Sequence, residues 1–172
     1  ALLKNNRSQN NTGGNGYGFY LISAGDGRFV SNTAYNNSQD GFRISSASNH
    51  TFIQNTSDSN AGYQFYITGA ASSDTFLKNI ILTAADSPAK GVYNGSSVTT
   101  NRFSFARNWW GTSDSAAIRA KLAGPGVDSI AVSPWRLGIL DTAAGADTTA
   151  PKTPDTVAVL DADTSVVLEW TA

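Results

Sequence analysis

The sequence predicts an all-β chain. It reads as a solenoid of short stacked coils, closed at its C-terminal end by a cap that contains one short helix. Three observations carry this. A phrase ending in asparagine recurs as Leu2-Leu3-Lys4-Asn5, Phe29-Val30-Ser31-Asn32, Phe52-Ile53-Gln54-Asn55 and Phe76-Leu77-Lys78-Asn79, with spacings of 27, 23 and 24 residues. Between these lies a glycine phrase: Gly18-Phe19-Tyr20-Leu21, Gly41-Phe42-Arg43-Ile44, Gly62-Tyr63-Gln64-Phe65 and, more weakly, Gly91-Val92-Tyr93-Asn94. No stretch before residue 112 sustains the 3.6-residue period of an amphipathic helix. A repeat made of a few short strands cannot bury its apolar side alone, and stacking successive repeats buries it.

In such a stack each position lies over its counterpart in the next coil. The phrases then predict one apolar column of Phe19, Phe42, Tyr63 and Val92, and a second of Leu21, Ile44 and Phe65. Phe29, Phe52 and Phe76 form a third, with Val30, Ile53 and Leu77 beside it. Asn5, Asn32, Asn55 and Asn79 are expected as a ladder at a turn. Asparagine tolerates left-handed backbone, and its amide can bond to the coils on either side. Ligand contact is the competing role for these asparagines. A second asparagine follows five residues later at Asn10, Asn37 and Asn60.

The repeat breaks at Asn108-Trp109-Trp110-Gly111. Ser113 or Asp114 is then an N-cap candidate, Ile118 and Leu122 share a helix face, and Gly124-Pro125 ends the helix. A short strand, Ile130-Ala131-Val132, leads into Ser133-Pro134-Trp135. Four segments result: coils over 1–111, a cap over 112–137, an Ala/Gly/Thr-rich linker over 138–150, and strand-forming residues over 151–172.

These phrases resemble a right-handed parallel β-helix of the pectate-lyase-like kind over residues 1–111. The Asn-Trp-Trp-Gly to Ser-Pro-Trp segment resembles the closing portion of β-helix repeat regions in bacterial secreted and surface proteins. There Trp109, Trp110 and Trp135 are expected to cover the open end of the stack, with a sugar platform as the competing role. Val157-Ala158-Val159 and Ser165 to Trp170 resemble the first two strands of a fibronectin type III domain. Only about a fifth of the roughly 100 residues of a β-sandwich are present, and mates for these strands are missing.

Composition narrows the function. Among 172 residues there are no cysteines and one histidine, which excludes thiol nucleophiles, thiolate metal sites and multi-imidazole centres. The net charge of -1 offers no field for nucleic acid or an anionic membrane, and no apolar run reaches the length of a membrane helix. Opening on Ala1-Leu2-Leu3 without methionine, the chain is expected to be a fragment or processed product.

The resemblance implies polysaccharide as substrate class and clustered acids as catalysts. Yet Asp26, Asp40, Asp58, Asp74 and Asp86 do not stack on successive coils, and no set of converging oxygens marks a calcium site. They are expected as solvated turn residues, with no catalytic residue, metal or cofactor. His50 aligns with Gly27, Asp74 and Asn101, and is expected as a turn histidine rather than half of an acid–base pair. Lys4, Ser31, Gln54, Lys78 and Arg107 form a solvated outward column. The binding candidates are Tyr20, Arg43, Gln64 and Tyr93, an outward column of aromatic and hydrogen-bonding side chains suited to sugars. The expectation is a non-catalytic extracellular or cell-surface module of structural or adhesive type. Its candidate partners are a polysaccharide or cell-surface glycan, or copies of itself joined through coil ends or tail strands. The alternatives are a piece of a polysaccharide lyase or glycoside hydrolase whose catalytic coils lie upstream, and a filament subunit stacked end to end.

Overall fold

The computed structural model describes residues 1–84, 90–97 and 103–139, together with the backbone of Ala158–Ala162 and Ser165–Glu169. It divides into two units, 1–139 and 140–172.

The first unit is a parallel β-solenoid with three sheets. One runs through Leu2–Lys4, Arg28–Val30, Thr51–Ile53, Thr75–Leu77, Phe103–Ser104 and Ile130–Ala131. The second takes Arg7–Gln9, Thr33–Tyr35, Thr56–Asp58 and Ile80–Leu82. The third takes Phe19–Ile22, Phe42–Ser45, Phe65–Gly69, Val92–Ser96 and Leu122–Ala123. Every pairing inside these sheets is parallel and joins one coil to the next, so side chains in register stack along the axis.

The interior is filled by those stacks. Phe29, Phe52, Phe76 and Phe105 lie face to face, with centroids 4.7, 4.8 and 4.0 Å apart. Phe19, Phe42 and Phe65 form a second stack at 4.8 and 5.0 Å. The two meet edge to face, at 5.9 Å for Phe42–Phe52 and 5.3 Å for Phe65–Phe76. Offset stacking within a column and T-shaped contact between columns are the two arrangements that the ring quadrupole favours.

The observed register corrects the third coil by two residues. Phe42 pairs with Phe65, Arg43 with Tyr66 and Ile44 with Ile67. Phe65, not Tyr63, therefore continues the Phe19–Phe42 column, and Ile67, not Phe65, continues that of Leu21 and Ile44. Gly62 imitates the glycine of the repeat, but the slot over Gly41 belongs to Gln64. A Cβ on Gly41 would come 2.1 Å from Ser57 Oγ and 2.7 Å from Asn60 Nδ2. One coil on, the Gln64 amide is bonded to those same two groups, at 3.1 and 2.7 Å.

Each corner of a coil holds left-handed residues. Asn5, Ser31, Gln54, Lys78 and Arg107 have φ of 54 to 59° at one corner, and Asn10, Asn36 and Ser59 have φ of 51 to 56° at the next. The ladder asparagines come one residue later, and they are not left-handed. Asn5 is thus a corner residue, and Asn6 is the first rung. By the same shift Asn5, not Lys4, heads the column of Ser31, Gln54, Lys78 and Arg107, and Asn11, not Asn10, heads the second ladder.

The rungs are explicit. Asn32 Oδ1 accepts from the backbone and side-chain nitrogens of Asn6, both at 3.0 Å. Asn55 Oδ1 accepts likewise from Asn32 at 2.9 and 3.1 Å, and Asn79 Oδ1 from Asn55 at 2.8 and 3.0 Å. Asn108 Oδ1 accepts from Asn79 at 2.7 and 3.1 Å. The spare amide proton of each goes back to a carbonyl, as from Asn55 to Phe29 at 2.9 Å. Buried backbone at a corner has no strand partner, and the amide supplies one.

The C-terminal end of the unit is part of the sheets as well as a cover. Asp114 caps a helix over Ser115–Arg119 by accepting from Ala117 N at 2.8 Å, and Ile118 is buried. Leu122 belongs to a strand paired with Val92, not to the helix. Phe103 pairs with Ile130. Trp110 is buried against Phe105, and Trp135 donates from Nε1 to Ser113 O at 3.1 Å. Trp109 bridges to Ile80 at the second sheet.

In the second unit Ala158–Ala162 and Ser165–Glu169 pair antiparallel, so these strands have each other as mates. Most of the expected linker, Pro151–Pro154 and Trp170 lie outside the described residues, as do Asp86 and Asn101.

Candidate functional site

The outward positions of the third sheet gather the chain's phenols. Parallel register aligns Tyr20, Arg43, Tyr66 and Tyr93 on four successive coils. Tyr17 and Tyr63, three residues before Tyr20 and Tyr66, lean in from the preceding loop, with ring centroids 5.1 Å from Tyr20 and 6.0 Å from Tyr66. Five of the six tyrosines therefore lie on one face.

Arg43 is at its centre. Its guanidinium carbon stands 4.4 Å from the Tyr66 ring centroid, 5.1 Å from that of Tyr17 and 5.6 Å from that of Tyr20. Such contacts favour the cation by about 0.5–2 kcal/mol each. Its Nη1 also donates to Asp40 Oδ2 at 3.0 Å. Asp40 is 4% exposed, and its other oxygen accepts from Tyr63 N at 2.8 Å. Burial raises the Asp40 carboxyl above its ordinary value, against the pull of Tyr63 N–H and of Arg43. Tyr63 and Tyr66 are likewise pushed up, chiefly by burial, so they remain phenols that both donate and accept.

The ring faces are unequally available. Tyr66 and Tyr93 stack on each other, with centroids 4.7 Å apart and planes 7° apart, and Arg43 lies over Tyr66. Tyr20 is the most open, at 47%. The face can thus offer one broad aromatic surface at Tyr20. Beyond it runs a row of hydroxyls and ring edges repeating at the strand spacing of about 4.8 Å.

Of the four binding candidates read from the sequence, Tyr20, Arg43 and Tyr93 lie together here. Gln64 does not. It is fully buried, and it closes the second asparagine ladder beneath the sheet, where the next coil offers Ala84 instead of asparagine. Tyr66 takes its place. Its tyrosine identity and its place directly after Phe65 were in the sequence, but the Gly62 decoy hid the register.

His50 and Asp74 are not solvated turn residues. Exposed at 1% and 2%, they face each other inside the coil, with Nδ1 3.0 Å from Oδ1 and His50 N donating to that oxygen at 2.8 Å. Burial raises the Asp74 carboxyl, partly offset by His50. The His50 ring packs against Phe29 and Phe52, and a Cβ on Gly27 would meet its Cδ2 at 2.8 Å. The next position in this row is Phe103, not Asn101. A pair sealed this way has no access to a polymer. Asn32, Asn55 and Asn79 are also fully buried, which leaves them no surface for ligand contact. Among the described residues no three acidic or imidazole groups converge on a common point.

A family model described as a right-handed beta helix region matches residues 1–118. No curated protein and no solved structure matches the chain.

Proposed function

We propose that this chain, which belongs to the right-handed β-helix family, is a non-catalytic module of the cell surface or extracellular space that holds carbohydrate on its tyrosine face. The fold goes with structural or carbohydrate-related modules in general. The observation that carries the finer reading is the gathering of five tyrosines around Arg43 over four coils. A glycan chain presents hydroxyls along its length and apolar ring faces between them. A row of phenols answers the first, and the open ring of Tyr20 answers the second. A glycan lying along the solenoid axis would meet a phenol on the first, third and fourth of these coils and Arg43 on the second.

The non-catalytic part rests on the acids. Glycoside hydrolysis needs two carboxyl groups flanking one bond, about 5–10 Å apart. Among the described residues of this face Asp40 is the carboxylate present, and it is buried in an ion pair with Arg43. In the same proposal the hairpin of the second unit is the opening of a fibronectin type III-like domain.

Calorimetric titration with a panel of soluble oligosaccharides tests this. At least one should bind, and Tyr20→Ala should weaken it about tenfold, a loss of about 1.4 kcal/mol, at an unchanged melting temperature. If no oligosaccharide binds, or if Tyr20→Ala binds like the parent, the carbohydrate reading is wrong. Release of shortened products would remove the word non-catalytic.

A further inference from the structure

We infer that Asp40 masks the charge of Arg43 and thereby sets this face for neutral glycans over uronate-rich ones. The inference rests on the carbohydrate reading above and names its ligand class. An exposed arginine amid aromatic rings would ordinarily invite a carboxylate, because its planar fork bonds both oxygens at once. Here little of that fork is open to a ligand, since Nε is buried. Nη1 is committed to Asp40 at 3.0 Å, and the guanidinium is flanked by Tyr17, Tyr20 and Tyr66. Asp40 cannot turn away, because its second oxygen is fixed by Tyr63 N and its surroundings are closed. An incoming uronate would have to displace a carboxylate that is already buried and bonded. Its approach would also desolvate its own charge, with no uncommitted cation at the centre to receive it.

Another charge that acts on Asp40 is Lys90, one coil beyond Tyr63. Its ammonium donates to Ala61 O at 2.8 Å, and it lies at the rim, where an ion pair with a ligand is screened by salt. What remains on the face is uncharged: the hydroxyls of Tyr20, Tyr66 and Tyr93, and Ser45 and Thr68 in the next outward column, two residues on from Arg43 and Tyr66. Those groups bond to the hydroxyls of a neutral sugar without removing any charge from water.

The test compares two hexasaccharides of the same linkage, one of neutral hexoses and one of the corresponding uronic acids, with parent protein and Asp40→Asn. Asparagine can still accept from Tyr63 N while leaving Arg43 uncompensated. The parent should bind the neutral ligand at least tenfold more tightly, with an affinity unchanged between low and high salt. Asp40→Asn should raise uronate affinity at least tenfold, and that gain should vanish at high salt. Tighter binding of the uronate by the parent overturns the inference while leaving the carbohydrate reading intact. So does a folded Asp40→Asn protein whose uronate affinity is unchanged. Should Asp40→Asn not fold, the parent's preference and its salt independence still decide. Binding of neither hexasaccharide by the parent counts against the carbohydrate reading itself, and the selectivity falls with it.

Discussion

At the scale of single residues, the amide of asparagine does what strand pairing cannot do at a corner. Asn55 shows it best. Its Oδ1 takes two protons from Asn32, while its own N and Nδ2 are received by Asn79. Replacing it by leucine leaves donors on Asn32 and an acceptor on Phe29 without partners, in a place closed to water. Each orphaned group costs about 1–3 kcal/mol, so Asn55→Leu should lower the unfolding free energy by about 3 kcal/mol in urea titration. An unchanged midpoint would mean that water serves the corner after all. Asp40 offers a test of sign. Burial holds its carboxyl above the ordinary 3.8, so the folded chain binds this proton more tightly than the unfolded one. The stability it contributes is full below 3.8 and is lost as pH rises through the raised value. Parent and Asp40→Asn, unfolded at several pH values from about 3 to about 6, should differ progressively in that direction, with the parent losing ground as pH rises. A parent that gains ground over this range would show the Arg43 pairing outweighing burial.

At the scale of elements, two phenylalanine stacks span several coils of the solenoid and cross-brace each other. Phe52 touches four rings of them: Phe29 and Phe76 by stacking, and Phe42 and Phe65 by their edges. Parallel register holds the neighbours in place, so little collapse into the space is available. Phe52→Ala should cost about 3–5 kcal/mol by denaturant unfolding. A loss below about 1 kcal/mol would mean that the stack closes over the gap. The same stacks explain what was legible in the sequence and what was not. Phenylalanines at positions 29, 52 and 76 announce themselves by type and spacing, so their column could be written down directly. The third-sheet column could not, since Gly62 stands two residues ahead of the true slot and Gln64 fills that slot for a reason internal to the fold. The doubled asparagines Asn5-Asn6 and Asn10-Asn11 concealed the first rung in the same way. Either member fits the pattern, and only hydrogen bonding across coils separates a left-handed corner from a rung.

At the scale of the whole molecule, a solenoid is held together by neighbours along one axis, so its ends are its weak points. The cap meets this by lending strands at Leu122–Ala123 and Ile130–Ala131 to two sheets and by setting a short helix, with Ile118 buried, over the last coil. Ile118→Asp would place a charge in that closed contact. It should lower the melting temperature and promote association, read by scanning calorimetry and light scattering. A variant with the parent's association state and melting temperature would show that the helix is dispensable to the end of the stack.

The sequence by itself determined the architecture. Repeated short phrases with apolar residues at fixed offsets can be buried in one way only, by stacking, and the phenylalanine and asparagine types named the two kinds of column. Tertiary structure decided which residues meet. The phenols of positions 17, 20, 63, 66 and 93 are far apart along the chain, and a slip of two residues in one coil exchanges an interior glutamine for a surface tyrosine. Asp40 and Asp74 likewise meet their own partners, Arg43 and His50, only through the pairing of the coils and the folding of the turns.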